Sequence, residues 1–189
     1  MPEAFFAPNV CITTIVGQNG AGKSSLLDIL FRILNNIGYC LYGNVERNAA
    51  DDMSYVLGLY ADLYYKLNGM DGVLHCRNRA IALEYGNKKV KFAVRHHKGH
   101  KLVRDELEFE GYEDYTHPDF PKMKEVAKMF FYTIATNYSL QAYISQDYKD
   151  EPTVSYSEQE QANVPGESIW MDNLFHKNDG YMCPLVLNP

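Results

Sequence analysis

The chain has 189 residues, room for one sizeable domain or a core domain with an inserted lobe. With 46% hydrophobic and 22% charged residues its composition is that of an ordinary globular protein, and a net charge of −6 gives no overall attraction to a polyanion. No apolar run reaches membrane-span length, Met1-Pro2-Glu3-Ala4 lacks the basic start of a secretion signal, and the four cysteines, Cys11, Cys40, Cys76 and Cys183, have no Cys-x-x-Cys spacing; the expectation is a soluble, cytoplasmic protein with reduced thiols and neither a disulfide framework nor a zinc site.

In chain order, the apolar run Val10-Cys11-Ile12-Thr13-Thr14-Ile15-Val16 reads as a buried strand. Gly17-Gln18-Asn19-Gly20-Ala21-Gly22-Lys23-Ser24 then spells a complete phosphate-binding loop. A helix follows, with Leu26, Leu27, Leu30, Ile33, Leu34 and Ile37 as its apolar stripe, ending at Gly38. Strand, glycine loop and helix are the context in which such a loop works. Gly17, Gly20 and Gly22 let the backbone curl so that successive N–H groups point inward at phosphate oxygens. The helix N-terminus adds its unpaired donors and positive dipole end. Lys23 is placed to reach the β- and γ-phosphates and the Ser24 hydroxyl to ligate Mg²⁺, so the predicted cradle is Gly17, Gln18, Asn19, Gly20, Ala21, Gly22, Lys23, Ser24 and Ser25.

Tyr39-Cys40-Leu41-Tyr42 is read as a short strand. From about Tyr55 to Phe109 the period changes: turn signals at Asn68-Gly69, Asp71-Gly72 and Gly86-Asn87 separate strand-like runs, among them Ala80–Tyr85 and the alternating Val90, Phe92 and Val94, with Val103, Leu107 and Phe109 further on. This predicts an antiparallel meander of four or five strands, a use that also suits the fifteen tyrosines. A short helix over Lys122–Met129, an apolar strand over 130–135, a polar loop over 150–167, a helix over 168–176, a turn at Asn178-Asp179-Gly180 and a closing strand over 183–187 complete the reading.

Ile15-Val16-Gly17-Gln18-Asn19-Gly20-Ala21-Gly22-Lys23-Ser24-Ser25-Leu26-Leu27 resembles the Walker A segment of ABC-type ATPases, in particular the SMC, RecF and overcoming-lysogenization-defect branch. The resemblance implies an α/β P-loop NTPase core with an inserted antiparallel β-lobe. Residues 1–50 would carry the loop and first helix, 51–117 the lobe, and 118–189 the return to the core. It also implies ATP and Mg²⁺ as cofactors, a second ATPase subunit closing on the nucleotide in a homodimer or higher oligomer, and a water-positioning glutamine after a core strand, for which Gln141 and Gln146 are both candidates. A second, shorter similarity lies in Phe175–Pro189 and Asn137-Tyr138-Ser139-Leu140, which resemble anti-phage ATPases of the Septu and retron-associated kind. That one implies a regulatory ATPase partnered by an HNH-type nuclease, with a reverse transcriptase and its non-coding RNA–DNA as an additional candidate. A RecF-type repair ATPase acting on DNA directly and a non-hydrolysing nucleotide-binding scaffold stand as alternatives.

Hydrolysis in this class needs an apolar strand ending in Asp-Glu, one to support Mg²⁺ and one to polarise water. Asp51-Asp52, Asp105-Glu106 and Asp150-Glu151 all follow residues unsuited to such a strand, and a Leu-Ser-Gly-Gly-Gln-like signature is absent. The expectation is that the chain is the N-terminal part of a longer ATPase; a pseudo-ATPase is the competing explanation.

The charges fall into two blocks. Residues 88–104 hold Lys88, Lys89, Lys91, Arg95, Lys98, Lys101 and Arg104 without an acid, and 105–119 hold Asp105, Glu106, Glu108, Glu110, Glu113, Asp114 and Asp119 without a Lys or Arg. A hairpin with its tip near Lys98-Gly99, pairing a basic with an acidic strand, is favoured over a nucleic-acid contact through Lys88–Arg104. His96, His97 and His100 read as surface residues, and Trp170 as core.

Overall fold

The computed structural model describes residues 16–18, 20, 22–42, 54–94, 104–116, 120–130, 133–134, 144–155, 169–178, 181–184 and 186–187. In chain order these form α1 (Lys23–Tyr42), β1 (Ser54–Val56), β2 (Ala61–Leu67), β3 (Met70–Arg77), β4 (Ala80–Tyr85), β5 (Lys88–Ala93), α2 (Arg104–Leu107), β6 (Glu113–Asp114), α3 (Phe120–Ala127) and β7 (Thr133–Ile134). A 3₁₀ turn (Ser145–Tyr148), β8 (Thr153–Ser155), α4 (Trp170–Leu174), β9 (Phe175–Asn178), β10 (Tyr181–Pro184) and β11 (Val186–Leu187) follow. The architecture is mixed α/β.

The largest sheet has the order β2-β3-β4-β5-β6. Its first four strands form the expected meander, with Leu74 opposite Leu83 and Leu83 opposite Val90 on the inner face. Asn68 and Gly69 make the first tight turn, both at positive φ, as a two-residue hairpin with right-handed strand twist requires. Asp71-Gly72, read as a second turn, lies instead within β3, with Gly72 paired to Tyr65 and Tyr85. A Cβ at Gly72 would stand 2.3 Å from the Tyr65 ring, so the glycine is a seat for that ring and not a chain reversal.

The acidic block departs further from expectation. Residues 104–107 are helical, Phe109 is buried against Ala80 and Ala82, and β6 joins β5 in parallel, Val90 opposite Glu113 and Lys91 opposite Asp114. No antiparallel basic–acidic strand pair forms among the described residues, because Phe109 and Tyr112 gain more by covering the alanines of β4 than a strand would allow. The tip near Lys98-Gly99 and Val103 lie outside the described residues.

The main core lies between the inner face of this sheet and α1, closed by α3. Ile33, Leu34, Ile37 and Leu41 from α1 meet Leu74, Ile81, Leu83 and Phe92, with Met123 and Val126 of α3 at one side. α1 runs through Gly38 instead of ending there, so residues 39–42 are its last turn and not a strand. A helical glycine costs about 1 kcal/mol. Continuing the helix puts Leu41 on the Ile37 face and buries Tyr39 and Leu41, which outweighs that cost.

Two buried amides tie α1 to β1. Asn36 Nδ2 donates to Val56 O and Val56 N donates back to Asn36 Oδ1, both at 2.8 Å, so the side chain imitates a neighbouring strand. Asn35 Nδ2 donates to Ser54 O at 2.8 Å. β1 in turn pairs antiparallel with β8, Tyr55 opposite Val154. Residues 153–155 are therefore strand inside what reads in sequence as a polar loop; Val154, buried between Thr153 and Ser155, supplies the alternation. Residues 156–167 lie outside the described residues.

The C-terminal elements are shorter than expected. α3 begins at Phe120, two residues before the predicted helix, and Phe130 closes a turn beyond it. The strand predicted over 130–135 is β7, two residues long and paired with β11. The helix over 168–176 is α4, which gives way at Phe175 to the β9–β10 hairpin, with Asn178 opposite Tyr181. No helix among the described residues is long and apolar enough to cross a membrane.

Candidate functional site

Gly20 and Gly22 adopt φ of 81° and 78°, and a Cβ at either would meet nothing within 4 Å. Glycine is required there by backbone conformation and not by crowding, as in a loop whose amides must turn inward. Leu26 N donates to Gly22 O at 3.0 Å and opens α1, so the loop runs directly into the helix start. The first turn of α1 contains no acid, leaving its N–H donors and positive dipole end without a competing carboxylate.

Lys23 lies across the loop. Its ammonium donates to Gly17 O at 2.6 Å and Gln18 O at 2.7 Å, so the side chain reaches back over the curled backbone from the helix it begins. Ser24 and Ser25 are exposed at the mouth of the same turn. Gly17, Gln18, Gly20, Gly22, Lys23, Ser24 and Ser25 are thus brought together; Asn19, Ala21 and the predicted strand residues 10–15 lie outside the described residues. Leu26, predicted on the buried stripe, is 56% exposed, and Ile29 joins it on the open side. The buried stripe begins in earnest at Phe31 and Ile33, because only the C-terminal half of α1 meets the sheet.

Of the two glutamine candidates, Gln141 lies outside the described residues. Gln146 is exposed on the 3₁₀ turn Ser145–Tyr148. That turn is docked on α1: Tyr148 OH donates to Asp28 Oδ1 at 2.7 Å. Arg32 sits beside it, 3.8 Å from Asp28 Oδ1 and hydrogen-bonded to Glu151, with its guanidinium 5.4 Å from the Tyr148 ring centroid and 5.5 Å from that of Trp170. The Trp170 indole N–H donates to Glu151 Oε2 at 2.8 Å, and the two rings meet edge to face. Trp170 is fully buried, in a second cluster with Phe31, Val56, Tyr148 and Met171.

Asp28, Arg32 and Tyr148 escaped the sequence reading, although a signal existed. Ser24, Asp28 and Arg32 recur at i, i+4 and i+8 and so fall in one row along the helix. Glu151, weighed in sequence only as part of an unsuitable Asp-Glu pair, is committed to Arg32 and Trp170; Asp105 lies in the short α2.

Two lysines of the basic block are engaged within the fold. Lys88 lies 3.6 Å from Glu125 and Lys89 3.1 Å from Glu84, with Lys89 also over the Tyr112 ring. On the outer sheet face, which Lys89 shares, Asp62 accepts from Arg77 and His75, both at 2.8 Å, and Arg77 forks onto Glu108. Burial alone would raise the Asp62 carboxyl, but those bonds outweigh it and hold it below the usual range. The Tyr112 hydroxyl, followed by Lys89, does the same for Glu84. Residues 95–103, including His96, His97 and His100, lie outside the described residues, and no group of His, Cys, Asp and Glu suited to a metal occurs among those described. Cys40 and Cys76 are unpaired, and burial raises both thiols, Cys76 to about 12.

A glycine loop closed by its own lysine at the head of a long helix is a nucleotide-site geometry, and a family model described as AAA domain matches residues 6–178. The chain belongs to the AAA domain family. No curated protein and no solved structure shows significant similarity to it. This AAA domain is of a nucleotide-binding, ATPase type, and members of the family typically use Mg²⁺. The residues present fit that ligand: left-handed glycines, a lysine aimed along the loop, an exposed serine hydroxyl beside it and no acid in the first helical turn.

Proposed function

We propose that this AAA domain binds Mg·ATP in the loop Gly17–Ser25 and serves as the nucleotide-gated half of an ABC/SMC-like ATPase switch. The observation that carries the reading is the Lys23 ammonium held against Gly17 O and Gln18 O, which sets a cation over the start of the glycine loop. Lys23 would exchange those carbonyls for phosphate oxygens, the loop amides and helix start would hold the remaining charge, and Ser24 would offer its hydroxyl to Mg²⁺. Bound Mg²⁺ supplies charge neutralisation at the phosphates. Gln146, and not only Gln141, is a candidate to orient water, since its turn is anchored on the helix that carries Ser24.

In this proposal the five-stranded sheet is the inserted lobe of the P-loop core, and a second ATPase subunit completes the site. The likeness of residues 175–189 to Septu and retron-associated ATPases supports a place in an anti-phage complex beside an HNH-type nuclease. Direct DNA loading is less well supported, because Lys88 and Lys89 already face Glu125 and Glu84. Calorimetric titration with Mg·ATP tests the core of the proposal. Saturable binding that weakens at least about 100-fold in Lys23→Ala is expected; equal affinity in both would sink it. Phosphate release measured on the same samples separates a hydrolysing switch from a silent scaffold.

A further inference from the structure

The contacts around Arg32 join distant parts of the chain at one face of α1. Ser24, Asp28 and Arg32 stand in one row, each about one turn, roughly 6 Å, from the next. Tyr148 grips Asp28 through its hydroxyl and stacks beside Arg32; Glu151 grips Arg32 and the Trp170 indole together. Arg32 is held between two rings and two carboxylates. A planar guanidinium with five donors in a fixed fork suits such a junction, and a lysine does not.

We propose that Asp28, Arg32, Tyr148 and Glu151 form a positioning clamp that couples the state of the nucleotide loop to the turn carrying Gln146, with Trp170 as its built-in reporter. The reasoning is mechanical. A load on Ser24 shifts or tightens the first turns of α1, and any rotation of that row moves Asp28 and Arg32 together. Both carry the turn and the indole with them. The inference rests on the nucleotide reading above.

Trp170 is the sole tryptophan, so its emission reads the clamp without a label. The experiment titrates Mg·ATP into the protein while following Trp170 emission, with calorimetry giving the dissociation constant independently. Expected is a saturable emission change whose midpoint matches the calorimetric one. Tyr148→Phe, which removes one hydroxyl and keeps the ring, and Arg32→Lys should bind Mg·ATP within about threefold of the parent while losing most of the emission change. Glu151→Gln keeps an acceptor for the indole but loses the charge pair, and should show the same split. Binding with no emission change in the parent protein overturns the clamp and leaves the nucleotide reading standing. A response undiminished in both Tyr148→Phe and Arg32→Lys overturns it too. Absence of Mg·ATP binding in the parent protein removes both. Should Arg32→Lys fold poorly by circular dichroism, Tyr148→Phe decides alone, since its ring packing is unchanged.

Discussion

The two halves of α1 differ as two separate proteins might. From Phe31 onward nearly every side chain is buried, the apolar ones against the sheet and the amides of Asn35 and Asn36 against the backbone of β1. Ahead of Phe31, Ser24, Ser25, Leu26 and Ile29 are exposed, and a Cβ at Gly20 or Gly22 would meet only open space. One helix therefore has a stabilising end and a working end. The packed half fixes the axis, and the open half can meet a ligand without disturbing the core. Coupling between them falls to the polar row at Asp28 and Arg32, which sits at the border.

Substitutions can break this contrast. A large loss is expected in Asn36→Ala, which strands both the N–H and the C=O of Val56 in the interior. At about 1–3 kcal/mol per buried unpaired group, a loss of about 3 kcal/mol by urea denaturation is expected. Mg·ATP affinity per folded molecule should stay unchanged. Next comes Gly72→Ala. Its methyl would displace the Tyr65 ring, which is pinned by its hydroxyl on Met129 O, stacked on Tyr85 and set edge-on to Phe130. About 2 kcal/mol of destabilisation is expected, as for other overpacked cores, and a neutral result would mean that the seat is not rigid.

A milder effect belongs to pH. Asp62 and Glu84 both titrate lower in the fold than in the unfolded chain, where carboxyls titrate near pH 4. Their stabilisation is thus complete above that value and is lost as pH falls through the lower folded values. Asp62→Asn should lower the neutral plateau modestly and leave the stability at the acid end, where the carboxyl is already protonated, nearly unchanged, so that the acid limb flattens. Smallest of all is Leu26→Ala. At an exposed position of the open half it should change stability by no more than about 0.5 kcal/mol, in contrast to about 2–5 kcal/mol for Leu41→Ala at the packed end. Similar losses at both would erase the distinction between the two halves.

Much of this was legible beforehand for identifiable reasons. The loop announces itself because phosphate cradling demands glycine, lysine and serine at fixed spacing, and the meander because Val90, Phe92 and Val94 alternate. What stayed hidden depends on partners distant in sequence. Gly38 looked like a helix stop because the burial that overrides it, of Tyr39 and Leu41, is tertiary. Gly72 looked like a turn because the ring of Tyr65 that needs its space lies on another strand. The charge blocks suggested a hairpin because composition reveals sign and not direction, whereas Phe109 redirected the chain onto Ala80 and Ala82. The clamp was the hardest to foresee: Arg32 and Glu151 stand 119 positions apart.

That separation has a kinetic consequence. The β2–β5 meander is built from neighbours joined by tight turns, whereas β1–β8 and Arg32–Glu151 close loops of roughly a hundred residues, whose entropy must be met before any contact rewards it. The meander should therefore be formed in the folding transition state and the clamp should arrive after it. Stopped-flow analysis of Leu83→Ala should give a φ-value well above about 0.5 and Val154→Ala one below about 0.3; the reverse order would refute it. During refolding or synthesis, the phosphate loop would then pass through an interval in which it has its helix but not yet its restraint.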